Sequence, residues 1–468
     1  MNPYESKKQS FKVIFSEALM FLAVIITVVV LALLVSGYWL NSNFEVERNG
    51  MLQISSLPTG ANIEIDGKAS SWLERTNSSK ILSSGEHAVT LSKDGYDTWS
   101  KQINISEGLL YRLHYPRLFL NERTSIPAFD AKKYSSATVS ATHNSMLLMN
   151  DTTSWAYLNL DTTELKPVML DISSVFSGVS MLEHADAENG EVTVGRFTGQ
   201  ILQANWDYDS SHVLFKVKNG DSIEWVLLDV NDAKKSVNIT KEFGADFSRI
   251  EILDNNSNNL LAVRGRSLHK IDLPGRLISA ILVDNIFDFD HFHNEIIYST
   301  TENIVGYFKI GDTKLTELTS TPAPAKVAIS KFYDNKYYTI LDGSTVSIYR
   351  QDAAGEKAAF YELSFSPDHI KVGHDGEFFL FTKDRQIAAL DMEAKAVREW
   401  TIENDYGWLD NNMLYTINDG SLIVYDYDGL NRRLIADGVS NHFPATIAND
   451  KWLYYFKGTE LVREIIAD

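Results

Sequence analysis

The hydrophobic pattern along the chain changes character twice. Between Ala18 and Leu40 the run ALMFLAVIITVVVLALLVSGYWL holds no charged residue, and as a helix rising 1.5 Å per residue it is about 35 Å long, enough to cross a bilayer. From Leu52 the pattern becomes alternation. LQISSLPTGANIEIDGK turns at Pro58 to Gly60, alternates again through Ala61, Ile63 and Ile65, and turns at Asp66-Gly67, which predicts two short paired strands. SSGEHAVTLSKDGYDTWSKQINI repeats the device: a turn at Gly85, a strand with Val89 and Leu91 inward, a turn at Asp94-Gly95, and a strand carrying Tyr96, Trp99, Ile103 and Ile105. A compact β-sandwich of about 65 residues, closing near Tyr115, accommodates all of these.

Beyond it the apolar segments recur. MLLMN at Met146, VLFKV at Val213, LLAVR at Leu260, IIYST at Ile296, YYTIL at Tyr337, FFLFT at Phe378, MLYTI at Met413 and WLYYF at Trp452 each follow an Asp or Asn within a few positions. Each is followed by a second strand-like segment, from WAYLNLD at Trp155 to ELVREI at Glu460. Most are separated by about 40 residues with no helical periodicity, the signature of a β-propeller built from four-stranded blades. Eight units can be counted, with seven blades as the alternative. The widest gap holds an inserted stretch from Glu183 to Leu202, expected to form an elaborated loop or an extra hairpin. The last unit, from Phe443 onward, lacks one strand; the segment 117–129, with Leu118, Leu120 and Ile126, is expected to supply it, so that first and last segments share a blade and close the ring.

Composition sharpens this all-β reading. The 468 residues exceed what one core usually covers, and 44% hydrophobic content is enough for folded domains. The formal net charge of −19, with no basic cluster after the apolar run, lacks the electrostatic footprint of nucleic-acid binding. The chain contains no cysteine, so disulfides, thiolate chemistry and cysteine metal sites are out of reach, and a bacterial envelope protein is a better fit than a eukaryotic ectodomain. Lys7, Lys8 and Lys12 against Glu5 and Glu17 precede the apolar run, while the acidic remainder follows it. Positive charge on the short side predicts a single-pass signal anchor with residues 1–17 cytoplasmic and everything after Asn41 outside, Tyr38 and Trp39 marking the outer interface; a cleaved signal peptide, with Val35 and Gly37 as the small-residue pair, is the alternative, and the apolar run is longer than such a peptide needs.

Pro58-Thr59-Gly60-Ala61, Ile65-Asp66-Gly67-Lys68, Gly85-Glu86-His87 and Lys93-Asp94-Gly95-Tyr96 together resemble a PEGA domain over 51–116. They depart from the family pattern at Thr59 and in the loop ASSWLERTNSSKIL. The resemblance implies a small extracytoplasmic β-module of bacterial or archaeal surface proteins, in which Pro58, Gly60, Ala61, Asp66, Gly67, Gly85, Gly95 and Tyr96 are structural. The domain order is then a tail (1–17), anchor (18–40), linker (41–50), PEGA-type module (51–116) and propeller (117–468). The propeller units resemble, loosely, the blades of TolB-like proteins, nearest at WDYDSSHVLFKV and GHDGEFFLF.

Catalytic and cofactor signatures are missing from the sequence: there is no Gly-x-Ser-x-Gly elbow, no Gly-x-x-x-x-Gly-Lys phosphate loop and no His-Glu-x-x-His. No metal or cofactor is therefore expected. FDFDHFHNE, with Asp288, Asp290, His291 and His293, is the densest set of possible ligands. Strand alternation separates the two Asp from the two His, so a propeller turn is expected there. Asp426 and Asp428 in YDYDGLN lack the spacing of a calcium loop. The expected function is a membrane-anchored binding or scaffold protein of the cell envelope, its propeller presenting a surface to a protein or glycan, with Trp155, Trp225, Trp400 and Trp408 as blade packing or contact residues. The alternative is a glycan-active enzyme; converging Asp or Glu residues in a central channel would favour it.

Overall fold

A computed structural model of the chain describes residues 3–35, 38–40, 46–70, 74–180, 195–253, 256–312, 314–351, 357–373 and 375–467. The chain divides into two compact units, Met1–Asn121 and Glu122–Asp468.

The first unit opens with a helix, Pro3–Val35. Within it Phe15–Leu33 has a mean hydropathy of 2.6, and none of its side chains is buried by the rest of the chain. The apolar run thus splits. Tyr38–Leu40 is a strand that pairs antiparallel with Val46–Arg48, Tyr38 opposite Arg48; aromatic residues favour a strand once a partner returns alongside. The β-sandwich that follows has a four-stranded sheet of Asn62–Ile65, Lys68–Ala69, Gly85–Ser92 and Trp99–Ile105, and a three-stranded sheet of Gly50–Ile54, Ser78–Leu82 and Leu110–Leu113. The two strands expected to pair across Pro58 to Gly60 lie in opposite sheets, so that turn is a crossing between layers and Gly50–Ile54 pairs instead with Ser78–Leu82 and, in parallel, with Leu110–Leu113. The hairpin at Asp66-Gly67 is as expected, Ile65 facing Lys68. Both turn residues have positive φ, 53° and 74°, which Asp tolerates and Gly adopts freely. Ala61, Val89, Leu91, Trp99 and Ile105 fill the interior.

This unit runs past Tyr115. Leu118 and Phe119 are fully buried, the Leu118 N–H donates to Leu57 O (2.8 Å), and Asp97 Oδ1 accepts from the Phe119 N–H (2.7 Å). Leu118 and Leu120 therefore belong to the first unit, Leu120 bridging to Tyr96, because their backbone groups and apolar side chains find partners there.

The second unit holds eight four-stranded antiparallel sheets among the described residues, each in sequential strand order except the last. In chain order the first seven span 136–171, 200–238, 249–278, 286–320, 326–362, 369–401 and 406–437; the eighth joins Thr446–Ala448, Trp452–Lys457 and Glu460–Ile465 to Ser125–Asp130. Ile126 sits opposite Arg463 in that pairing, so the strand shared between the start and end of the propeller is Ser125–Asp130. Arg123 reinforces it through Nε to Glu464 Oε1 (2.7 Å). Every apolar segment picked out by the repeat is a second or third strand of its sheet. Apolar layers pack between consecutive sheets: Trp155, Phe176, Phe197 and Phe215 between the first and second, and Tyr454, Phe456, Leu148 and Leu158 between the eighth and the first. Of the inserted stretch, 183–194 lies outside the described residues; at its end Arg196–Phe197 pairs with Val179–Ser180.

Candidate functional site

The first strands of the sheets line a central channel. One part is a cavity of about 640 Å³ whose wall takes residues from five consecutive first strands, from Gln203 to Val372. The other, about 440 Å³, lies among Thr138, His143, Trp408 and Asn411, and it too reaches Val372. A first strand is the edge of its sheet, and its unpaired N–H and C=O groups need partners. How they are satisfied gives the channel its chemistry.

On the first part of the wall the partners are ionic. Arg249, at the start of the third sheet, donates from Nη1 to Asp288 Oδ1 (2.6 Å), from Nη2 to the Phe289 carbonyl (2.8 Å) and from Nε to Glu251 Oε1 (2.7 Å), and lies over the Phe289 ring. Asp288 then accepts from the Val327 N–H at Oδ2 (3.0 Å), and Asp290 from the Ile329 N–H (2.9 Å) and the His291 N–H (2.9 Å). The Asp-x-Asp spacing matches the two-residue period of the neighbouring edge: residues 288 and 290 meet the amides of 327 and 329. The segment 287–292 is thus channel-lining strand, and the turn expected for it begins only at His293, where φ is 54°. Burial works against the Arg249 charge, but the Glu251 and Asp288 carboxylates outweigh it and hold its pKa above the ordinary value. Burial, with the charge of Glu251, pushes the Asp290 carboxyl up to about 6.

On the other part the links are neutral. Thr142 Oγ1 and Ser210 Oγ are 2.7 Å apart, Trp206 Nε1 donates to Thr138 Oγ1 (3.2 Å), His143 Nδ1 and Thr446 Oγ1 are 2.9 Å apart, and the Ile447 N–H donates to Leu409 O (2.9 Å). The seventh sheet is thereby tied to the eighth, the eighth to the first, and the first to the second. Trp155 and Trp225 are fully buried packing residues, Trp400 is partly buried against Tyr425, and only Trp408 of the four reaches the channel.

Among the described residues no three His, Asp or Glu side chains gather as metal ligands. Asp288 and Asp290 point to backbone amides, His291 Nε2 lies 3.9 Å from Glu251, and the His293 ring packs on Phe292. Asp426 accepts from Asn431 Nδ2 (2.7 Å) and Asp428 from the Leu430 N–H (3.1 Å), closing a turn. One further cluster was not singled out by sequence: Asp207, Ser211 and His212. Asp207 Oδ2 and Ser211 Oγ both approach the same ring nitrogen, His212 Nδ1, at 2.9 and 2.8 Å. A catalytic triad needs the serine and the acid on opposite nitrogens, so this arrangement does not activate the serine. Asp207 Oδ1 also caps the turn through the Ser211 and His212 N–H groups; burial pushes the Asp207 pKa up, but the His212 ring, followed by these N–H groups and the Ser211 hydroxyl, holds it below the usual value. Asp410 caps the Asn412 and Met413 N–H groups alike. Before VLFKV and MLYTI, the preceding Asp is therefore a turn cap.

In the first unit, Asp66 Oδ2 contacts His87 Nδ1 (2.7 Å) and Oδ1 accepts from the Ala88 N–H (2.9 Å), which lowers the Asp66 pKa. Ala61 is buried against Thr76, Gly60, Gly85 and Gly95 have positive φ, and Tyr96 is buried beside Lys93. Pro58 offers its carbonyl to Ser56 Oγ (2.7 Å). These residues hold turns and layers together. Residues 49–116 match the PEGA domain family. Among solved structures the chain is similar to the C-terminal WD40 domain of Sif2 (12% identity, TM-score 0.46, covering 74% of this chain and 98% of that one). It is also similar to Kluyveromyces lactis Hsv2 (9% identity, TM-score 0.43, covering 65% and 98%). A search of curated protein sequences returns no significant match.

Proposed function

We propose that this is a single-pass, membrane-anchored protein of a bacterial cell envelope, in which the helix tethers, the PEGA domain spaces, and an eight-bladed propeller presents a binding surface to a protein or glycan outside the cytoplasm. The observation that supports it most is the stretch Phe15–Leu33: strongly apolar, with Glu17 its one charged residue, and left uncovered by the chain's own fold, it calls for a lipid environment. Asp288 and Asp290 are engaged in joining sheets, which suits a rigid ring better than a catalyst. Protease added to intact, wall-stripped cells is expected to remove the large C-terminal fragment while sparing a tag placed on Asn2. A protected C-terminus overturns the orientation, and a soluble mature form beginning near Tyr38 overturns the anchor.

A second reading has one observation in its favour: Asp290, with a raised pKa, and Glu251 face the same cavity. Two carboxyls on one cavity wall, one of them raised in pKa, are the groups a glycan-cleaving enzyme would need. On that reading Asp290→Asn and Glu251→Gln each abolish turnover of envelope glycans by the wild-type protein; on the binding reading there is no turnover to abolish.

A further inference from the structure

The three-stranded sheet of the PEGA domain turns one face outward, and that face is divided in two. Along Gly50–Ile54, Leu52 and Ile54 point inward and are fully buried, whereas Met51 and Gln53 point outward. The register places Ile81 and Leu110 on either side of Met51, and Ser79 and Arg112 on either side of Gln53. The outer face therefore carries an apolar row, Ile81–Met51–Leu110, and a polar row, Ser79–Gln53–Arg112. In the apolar row Ile81 is 62% exposed, Met51 42% and Leu110 37%, and the adjoining Leu109 is 56% exposed. Each single exposed apolar residue would be unremarkable; three in one row across the outer face of a small module, with exposed Leu109 next to Leu110 in the chain, form a patch of the kind that marks a contact surface.

The covalent path says which contact. The apolar row lies at the end of the sheet where the chain enters from the helix. Tyr38 follows Val35 by three residues, and Arg48, which precedes Met51 by three, is paired directly with Tyr38, its guanidinium 5.6 Å from the Tyr38 ring centre. Three residues reach at most about 10 Å and a strand pair adds about 5 Å, so Met51 is held within about 25 Å of the helix end. The polar row is one strand period further along. An apolar row at the tethered end, a polar row at the free end and an aromatic residue with an arginine between helix and sheet is the polarity of a surface that meets lipid.

Resting on the reading of the helix as a membrane anchor, we propose that Met51, Ile81, Leu109 and Leu110 sit in the lipid interface beside the anchor, so that the PEGA domain lies against the bilayer by this face and serves as a foot with a fixed orientation. The occupant is the phospholipid interface itself, the boundary between headgroups and acyl chains.

The absence of native cysteine makes the test direct. Single variants Met51→Cys, Ile81→Cys and Leu110→Cys in the apolar row, Gln53→Cys and Ser79→Cys in the polar row, and Val29→Cys in the helix are spin-labelled in the full chain and reconstituted into phosphatidylcholine–phosphatidylglycerol nanodiscs. Collision with oxygen, which concentrates in lipid, is compared with collision with a water-soluble nickel chelate. The expected result is preference for oxygen at 29, 51, 81 and 110 and for the nickel chelate at 53 and 79. If 29 reports lipid while 51, 81 and 110 are as open to the nickel chelate as 53, the foot is overturned and the anchor stands. If the row is shielded from both reagents, protein covers it and the proposal is equally overturned. If 29 itself is open to the nickel chelate, the anchor reading fails and takes this one with it.

Discussion

The two parts of the channel wall face the same physical problem with different chemistry. Each first strand presents backbone groups that its own sheet cannot pair. From the third sheet to the fifth, Arg249, Asp288 and Asp290 reach those groups with charged side chains; from the seventh around to the second, one backbone link, Ile447 N–H to Leu409 O, does so, and the sheets are otherwise joined side chain to side chain by hydroxyls and an imidazole. Charged links are shorter and individually stronger, but they carry a liability: remove one partner and a buried charge is stranded. Neutral links are weaker and fail gently. The first part should therefore be brittle towards mutation, and the second more tolerant of it.

The largest expected effect is loss of the closing strand, which the neutral part of the ring depends on. A chain beginning at Glu122 is expected to unfold cooperatively in denaturant, whereas one beginning at Lys132 lacks Ser125–Asp130 and exposes the Glu460–Ile465 edge, and is expected to aggregate or unfold at distinctly lower denaturant. Equal midpoints for the two mean that the ring does not need this strand. Next comes Arg249→Met. It leaves Asp288 buried opposite no cation and removes the donor to Phe289, and a cost of about 3–5 kcal/mol in chemical unfolding is expected. A loss below about 1 kcal/mol would place this ion pair with ordinary surface bridges and erase the distinction between the two parts.

Sequence legibility follows the same geometry. The second and third strands of each sheet are covered on both faces, so VLFKV, FFLFT and QIAALDM read as apolar runs and their period is visible. First strands face a polar channel and fourth strands face solvent; RIEI at Arg249–Ile252 and TELTS at Thr316–Ser320 carry no apolar signal that separates them from loops. The candidate site is built from first strands, and for that reason FDFDHF was readable as a strand only once its neighbour was known: the partners of Asp288 and Asp290 are 39 residues away. In the PEGA domain the turn chemistry at Asp66-Gly67 and Asp94-Gly95 was legible because it is local. Which strands pair across Pro58 to Gly60 was not, since alternation fixes a strand's buried face but not its sheet. Leu118 and Leu120 carried an apolar signal that two domains could equally have used, and only the backbone partners at Leu57 and Tyr96 assign them.

The charged part also predicts an inverted pH response. Asp290 titrates at about 6 in the folded protein and near 3.9 in an unfolded chain. Between those values the folded state binds more protons, so this group's contribution makes the protein more stable as pH falls from about 7 towards 4. Carboxylates held below their usual pKa, such as Asp66 and Asp207, act oppositely and lose their contribution only at more acid pH. Midpoints of urea unfolding measured from pH 7.5 to 5 should rise by an amount equivalent to about 1–2 kcal/mol, and Asp290→Asn should flatten that slope. A variant with an unchanged slope assigns the proton to another group.

The smallest expected effect lies on the neutral part, at Thr142. Its hydroxyl lies 2.7 Å from Ser210 Oγ and donates to Asn144 Oδ1 (2.8 Å), and the site is part-buried, so water can take the place of either partner. Thr142→Ala removes a neutral hydrogen bond without leaving a charge behind, and the expected cost is about 0.5–1.5 kcal/mol with no change in the pH dependence. Combining it with Arg249→Met tests whether the two parts are separate. Their closest links belong to different sheets and share no side chain, so the two losses should add to within about 0.5 kcal/mol. A larger coupling would mean that the ring transmits strain around its circumference, and the channel wall would then have to be treated as one cooperative structure rather than two.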